Sequence, residues 1–101
     1  MTSKPGSELP FRMIVRDSTY RSWLGTSISG KVEQGTIRPG DVISILDSSP
    51  PRTFKVKELQ MFDLILDYAE TGENVAVLLE GYAHEDVEAG SVLVKVSDLG
   101  S

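Results

Sequence analysis

The chain has 101 residues, a formal net charge of −5 and no cysteine. That length holds one domain with a core but not two. The missing cysteine excludes disulfides, thiolate metal sites and a cysteine nucleophile, and fits a reducing compartment. Apolar residues at 40% and charged residues at 25% are the proportions of a folded soluble domain. No apolar run approaches the ~20 residues of a membrane span, and MTSKPGSELP lacks the apolar stretch of a signal peptide. A cytoplasmic protein with no membrane association is the expectation.

The charge is unevenly spread. Residues 1–57 hold nine of the ten Lys and Arg, while residues 58–101 hold Lys95 against ten acids. From Glu58 to Val94 there is no cation, so a phosphate backbone finds nothing there to displace its counterions. Two readings stay open for that stretch: a solvated acidic rim, or a surface that attracts a basic partner.

Residues 1–8 are polar and aperiodic and read as a flexible linker or a remnant of expression, residues 9–97 as the folded domain, and 98–101 as a flexible tail. Phe11, Met13 and Val15 alternate with Arg12, Ile14 and Arg16, which predicts a strand. Asp17 to Leu24 breaks the alternation and reads as a loop carrying Tyr20 and Trp23. Thr26, Ile28, Gly30 and Val32 then fall on one face of a second strand, with Ser27, Ser29, Lys31 and Glu33 on the other. Gly30, without a side chain to pack, marks a bulge or a tight bend.

Arg38-Pro39-Gly40-Asp41 fits a type II turn, with proline at the second position and glycine at the third. A strand over Asp41 to Leu46 follows, then a breaker-rich loop to Pro51, then a strand over Thr53 to Val56. "LQMFDLIL", Leu59 to Leu66, fits neither period, and Met61 and Phe62 read most simply as core. "ENVAVLLEG" is a strand bounded by Gly72 and Gly81, and Ser91 to Val96 is the last. Between them His84 to Gly90 can form one helical turn ended by glycine. Six or seven short strands at even spacing predict an all-β fold, a small closed antiparallel β-barrel.

Little in the chain suggests catalysis, and no enzyme activity, cofactor or metal is expected. His84 is the only histidine, in an acidic turn with no serine elbow motif nearby, and reads as an exposed structural residue. The phosphate loop GxxxxGK[ST] is absent, since the Gly30-Lys31 pair lies inside a strand and precedes Val32. Arg12 and Arg16, with Lys55 and Lys57, read either as a basic patch or as the solvated faces of two strands. Trp23 and Tyr20 read as base-stacking groups or as cover for one end of the barrel.

"LPFRMIVRD", "GTSISGKVEQGTIRPGDVISIL", "LQMF" and "TGENVAVLLEGYAHEDVEAGSVLVK" follow one another in this order. Together they resemble domain 2 of the translational GTPases, most closely that of elongation factor Tu, over about Leu9 to Lys95. The resemblance implies a non-catalytic barrel that docks on a GTPase domain of a parent protein and meets aminoacyl-tRNA and the ribosome; a monomer is expected because a barrel of this size needs no partner to fold. It also implies RNA-binding positions. Asn74 matches the asparagine near the aminoacyl group, Leu78 an apolar wall of the terminal-adenine pocket, and Gln60 the glutamate set against that adenine.

The chain departs from the pattern elsewhere: Asp63 and Ala89 stand where the family has cations, and Arg16, Thr19 and Arg21 replace a glutamate, a phenylalanine and an isoleucine. A protein-docking barrel of a non-translational GTPase relative, such as the GTPase subunit of sulfate-activating enzymes, and a stand-alone or engineered barrel without RNA binding remain as alternatives.

Overall fold

Alternating side chains in short segments built a ring of strands. The computed structural model describes residues 9–99, so the linker reading of residues 1–8 and part of the tail reading of 98–101 lie outside the described residues. The strands are β1 (Arg12–Arg21), β2 (Gly25–Gln34), β3 (Thr36–Ile37), β4 (Val42–Ile45), β5 (Thr53–Met61), β6 (Leu64–Leu66), β7 (Ala69–Glu70), β8 (Asn74–Leu79) and β9 (Val92–Lys95), followed by a single helical turn, α1 (Val96–Leu99). All pairings are antiparallel.

The main sheet runs β4-β9-β1-β2-β8-β5-β6, and β4 also pairs with β5, which closes β4, β9, β1, β2, β8 and β5 into a ring. β6 hangs outside that ring on β5, and β3 with β7 forms a separate two-stranded ribbon. Closure leaves most strands without a free edge. The all-β barrel expectation therefore holds.

Inward positions supply the core. Met13, Val15, Ile28, Val32, Ile43, Val56, Leu59, Val77 and Leu93 are fully or almost fully buried, as alternation required. Ile37 and Ala69 from the ribbon also join the core, as does Val87 from the connection between β8 and β9. Gly30 faces inward opposite Val15, and a Cβ there would lie 2.1 Å from the Ile14 carbonyl oxygen. Only glycine permits the two backbones to come this close. The register shifts on β1 between Val15 and Asp17, so the bulge anticipated near Gly30 lies on its neighbour.

Four local expectations change. Asp17 to Arg21 is not a loop: β1 runs on and pairs through Arg21 with Gly25. Its side chains there are mostly exposed on both faces, so the ladder, not apolar alternation, holds it. β5 likewise continues through Met61 and turns back into β6, with Met61 opposite Leu64.

Of Met61 and Phe62, both expected in the core, Met61 is half-buried outside the core cluster and Phe62 sits at the hairpin tip, 93% exposed and with φ of 55°. Residues 84–90 form no helix. Their polar groups bond to the barrel instead: Thr26 Oγ1 accepts from the Glu85 amide at 3.0 Å and donates to the Ala83 carbonyl at 3.3 Å. Arg52 Nη1 donates to the Asp86 carbonyl at 2.9 Å and Ser18 Oγ to that of Val87 at 3.1 Å.

The turn before β4 is as predicted: the Asp41 amide donates to the Arg38 carbonyl at 3.1 Å, and Gly40 takes φ of 94°. The basic-patch reading is not met. β1 borders β2 and β9 while β5 borders β8 and β4, so Arg12 and Arg16 lie apart from Lys55 and Lys57. Arg12 pairs with Glu33 at 3.0 Å, and Lys57 lies 6.0 Å from the Tyr82 ring centroid.

Candidate functional site

The outer face of β1, β2, β8 and β5 carries the residues of interest, in rows set by register. Asp17, Ser29, Ala76 and Gln60 form one row across the four strands. Ile14, Lys31 and Asn74 form the row on one side of it, and Thr19, Ser27, Leu78 and Glu58 the row on the other. Asn74, Ala76 and Leu78 share a face because they are spaced by two along β8. Val75, Val77 and Leu79, between them, point into the core.

A cavity of about 220 Å³ opens on this face, lined by Arg16, Ser29, Gln60, Asn74, Ala76 and the Met61–Phe62 end of the β5–β6 hairpin. It is smaller than the ~300–1,000 Å³ of pockets that enclose whole small molecules. Its dimensions suit one end of a larger ligand. Two polar groups are pre-oriented at its border: Ser29 Oγ donates to Asp17 Oδ1 at 2.6 Å, and the Gln60 amide nitrogen donates to the Glu58 carboxylate. The second bond turns the side-chain carbonyl of Gln60 into the acceptor left for a ligand.

Gln60 and Asn74 are thus brought together, both exposed and both on the cavity. Leu78 is not on the cavity lining; it is buried to 5% exposure on the same outer face, outside the central core cluster. Arg16 entered the sequence reading as a member of a basic patch and as a departure from a family pattern, not as a site residue, yet it is the cation at the cavity. The extra residue of the β1 bulge directs it there, and no sequence signal marks that bulge. Ala76 shares Asn74's outer face by period-two spacing along β8, a signal present in the chain but diluted by its small side chain, and Ser29 joins it only through the pairing of β2 with β8.

A second depression, about 460 Å³ and more open, lies between the end of β2 and Thr71–Gly72 and contains none of the three expected residues. Among the described residues no group of three or more His, Cys, Asp or Glu is placed to hold a metal ion. No described helix is long and apolar enough to cross a membrane. His84 is exposed and stacks on Tyr20, with ring centroids 4.8 Å apart.

The family model of elongation factor Tu domain 2 matches residues 25–94, well over half of the chain. The matched segment runs from the first residue of β2 to β9 and so includes Gln60, Asn74 and Leu78. With the ring of strands and the motif order agreeing, this chain belongs to the elongation factor Tu domain 2 family.

Proposed function

We propose that the protein is the non-catalytic barrel of an elongation factor Tu-like translational GTPase, docking on the GTPase domain and receiving the 3′ end of aminoacyl-tRNA at the outer-face cavity. The observation that carries this reading is the meeting of Gln60 and Asn74 on one cavity. An amide carbonyl and a carboxamide at its border suit the hydrogen-bonding edges of a terminal base and an aminoacyl group. Arg16 adds a cation for a phosphate. It also stands close to Ala89, where the family places a cation: the Gly90 amide donates to the Val15 carbonyl at 2.8 Å, so positions 16 and 89 flank one bond. On this reading Arg16 takes over the charge absent at Ala89.

A protein-docking barrel of a non-translational GTPase relative is the second reading. The observation favouring it is Asp63, an exposed acid at the hairpin tip next to Phe62 on the cavity wall. A titration of the ¹⁵N-labelled protein with a short 3′-CCA oligonucleotide at low salt separates the two. Shifts confined to Arg16, Gln60, Asn74 and Leu78, weakening as salt rises, uphold tRNA binding. Unmoved amides at millimolar oligonucleotide transfer the function to protein docking alone.

A further inference from the structure

The strand order ends at β6. Its one strand partner among the described residues is β5, so its other edge presents backbone donors and acceptors with no strand beside them. Such an edge is a template for an added strand. Its side chains are apolar and open to solvent: Leu64 is 63% exposed and Ile65 70%, next to Phe62 at 93%. Single exposed apolar residues are ordinary, whereas a run of them along an open edge forms a patch suited to binding.

Charge decides the occupant. Asp63 and Asp67 bracket the strand, within a stretch from Glu58 to Val94 that has no Lys or Arg. A second copy pairing antiparallel about Ile65 would set Asp63 of one chain toward Asp67 of the other, at both ends. Facing like charges destabilise such a pair, so the edge is guarded against itself. Along this edge a nucleic acid backbone meets the same two acids, and the stretch of chain that carries the edge supplies no Lys or Arg.

We propose that the open edge of β6 captures an extended segment of a protein partner, which adds a strand there with apolar side chains over Leu64 and Ile65 and lysine or arginine toward Asp63 and Asp67. Backbone hydrogen bonds along the edge supply the attraction, and the flanking acids set the sign of charge accepted. This surface adjoins the cavity at Phe62, but the proposal does not rest on the cavity reading and stands or falls without it.

The test titrates a capped peptide with three central valines to lie opposite Leu64, Ile65 and Leu66 and a lysine at each flank into the ¹⁵N-labelled 101-residue protein, against the same peptide with glutamate at both flanks. Amide shifts across Leu64, Ile65 and Leu66, with slowed hydrogen exchange at those whose N–H faces the open edge and not β5, are expected with the lysine peptide alone. The double variant Asp63→Lys/Asp67→Lys should weaken that peptide about tenfold or more and begin to bind the glutamate peptide. Both aspartates are exposed, and unchanged resonances elsewhere will show that the fold persists. Equal response to both peptides, shifts centred on the Arg16 cavity, shifts without slowed exchange in β6, or no response at millimolar peptide would each overturn the proposal.

Discussion

Gly30 on β2 lies so close to Ile14 on β1 that a Cβ at position 30 would stand 2.1 Å from the Ile14 carbonyl oxygen. The obstacle is backbone in a closed ring, which has no free direction in which to yield. Gly30→Ala should therefore destabilise the fold by about 3 kcal/mol or more, in the upper range for single substitutions. The urea midpoint measures this. A loss below about 1 kcal/mol would mean that β1 and β2 separate more easily than the ring implies.

Asp98 Oδ2 accepts a hydrogen bond from the Phe11 amide at 2.9 Å, joining the two ends of the described chain. The bond is part-buried and charge-assisted, so Asp98→Ala should cost about 1–2 kcal/mol. Asp98→Asn keeps an acceptor and should lose less. Thermal unfolding of the pair, with amide exchange at Phe11 as the local readout, checks both.

Thr26 is 1% exposed and holds the connection between β8 and β9 through its hydroxyl. Thr26→Val keeps the shape but strands the Glu85 amide, with an expected loss of about 1–3 kcal/mol. Faster exchange should be confined to residues 83–87. Uniform loosening of the whole barrel would contradict the local role.

Phe62 combines 93% exposure with φ of 55°, a conformation that bulky side chains adopt at a strain of about 1–3 kcal/mol. Asparagine tolerates this region. Phe62→Asn should raise stability by about 1 kcal/mol, within that strain range, because little packing is lost. Calorimetry decides the sign.

At the cavity, Arg16→Ala should leave stability within about 0.5 kcal/mol of the parent, since the side chain is exposed. If Arg16 meets a phosphate, the same substitution should lower the slope of log affinity for the 3′-CCA oligonucleotide against log salt by about one. Asn74→Ala should weaken binding without changing that slope. Equal slopes for Arg16→Ala and the parent would remove the arginine from the phosphate contact.

Period-two alternation from Phe11 to Val15 and from Thr26 to Glu33, the Pro39-Gly40 turn and the glycine-bounded β8 were legible in the chain because each rests on local geometry: a side chain's face or a residue's allowed φ. That was enough for an all-β barrel, and the motif order was enough for the family. The upper half of β1 was not legible, since Asp17 to Arg21 is held by hydrogen bonds to β2 and carries no buried face. Residues 84–90 avoid a helix because Thr26, Arg52 and Ser18 capture their backbone groups from distant strands.

The cavity divides in the same way. The resemblance pointed to Gln60 and Asn74, but their meeting depends on β5 and β8 pairing with Gln60 opposite Ala76. Arg16 reaches the same place through a bulge that has no signature in composition or period. Sequence by itself determined the alternating strands and the Pro39-Gly40 turn, through local conformational preference, and the family, through the order of its motifs. Tertiary structure decided which side chains share a surface, because register, closure and bulges are set by pairing between strands far apart in the chain.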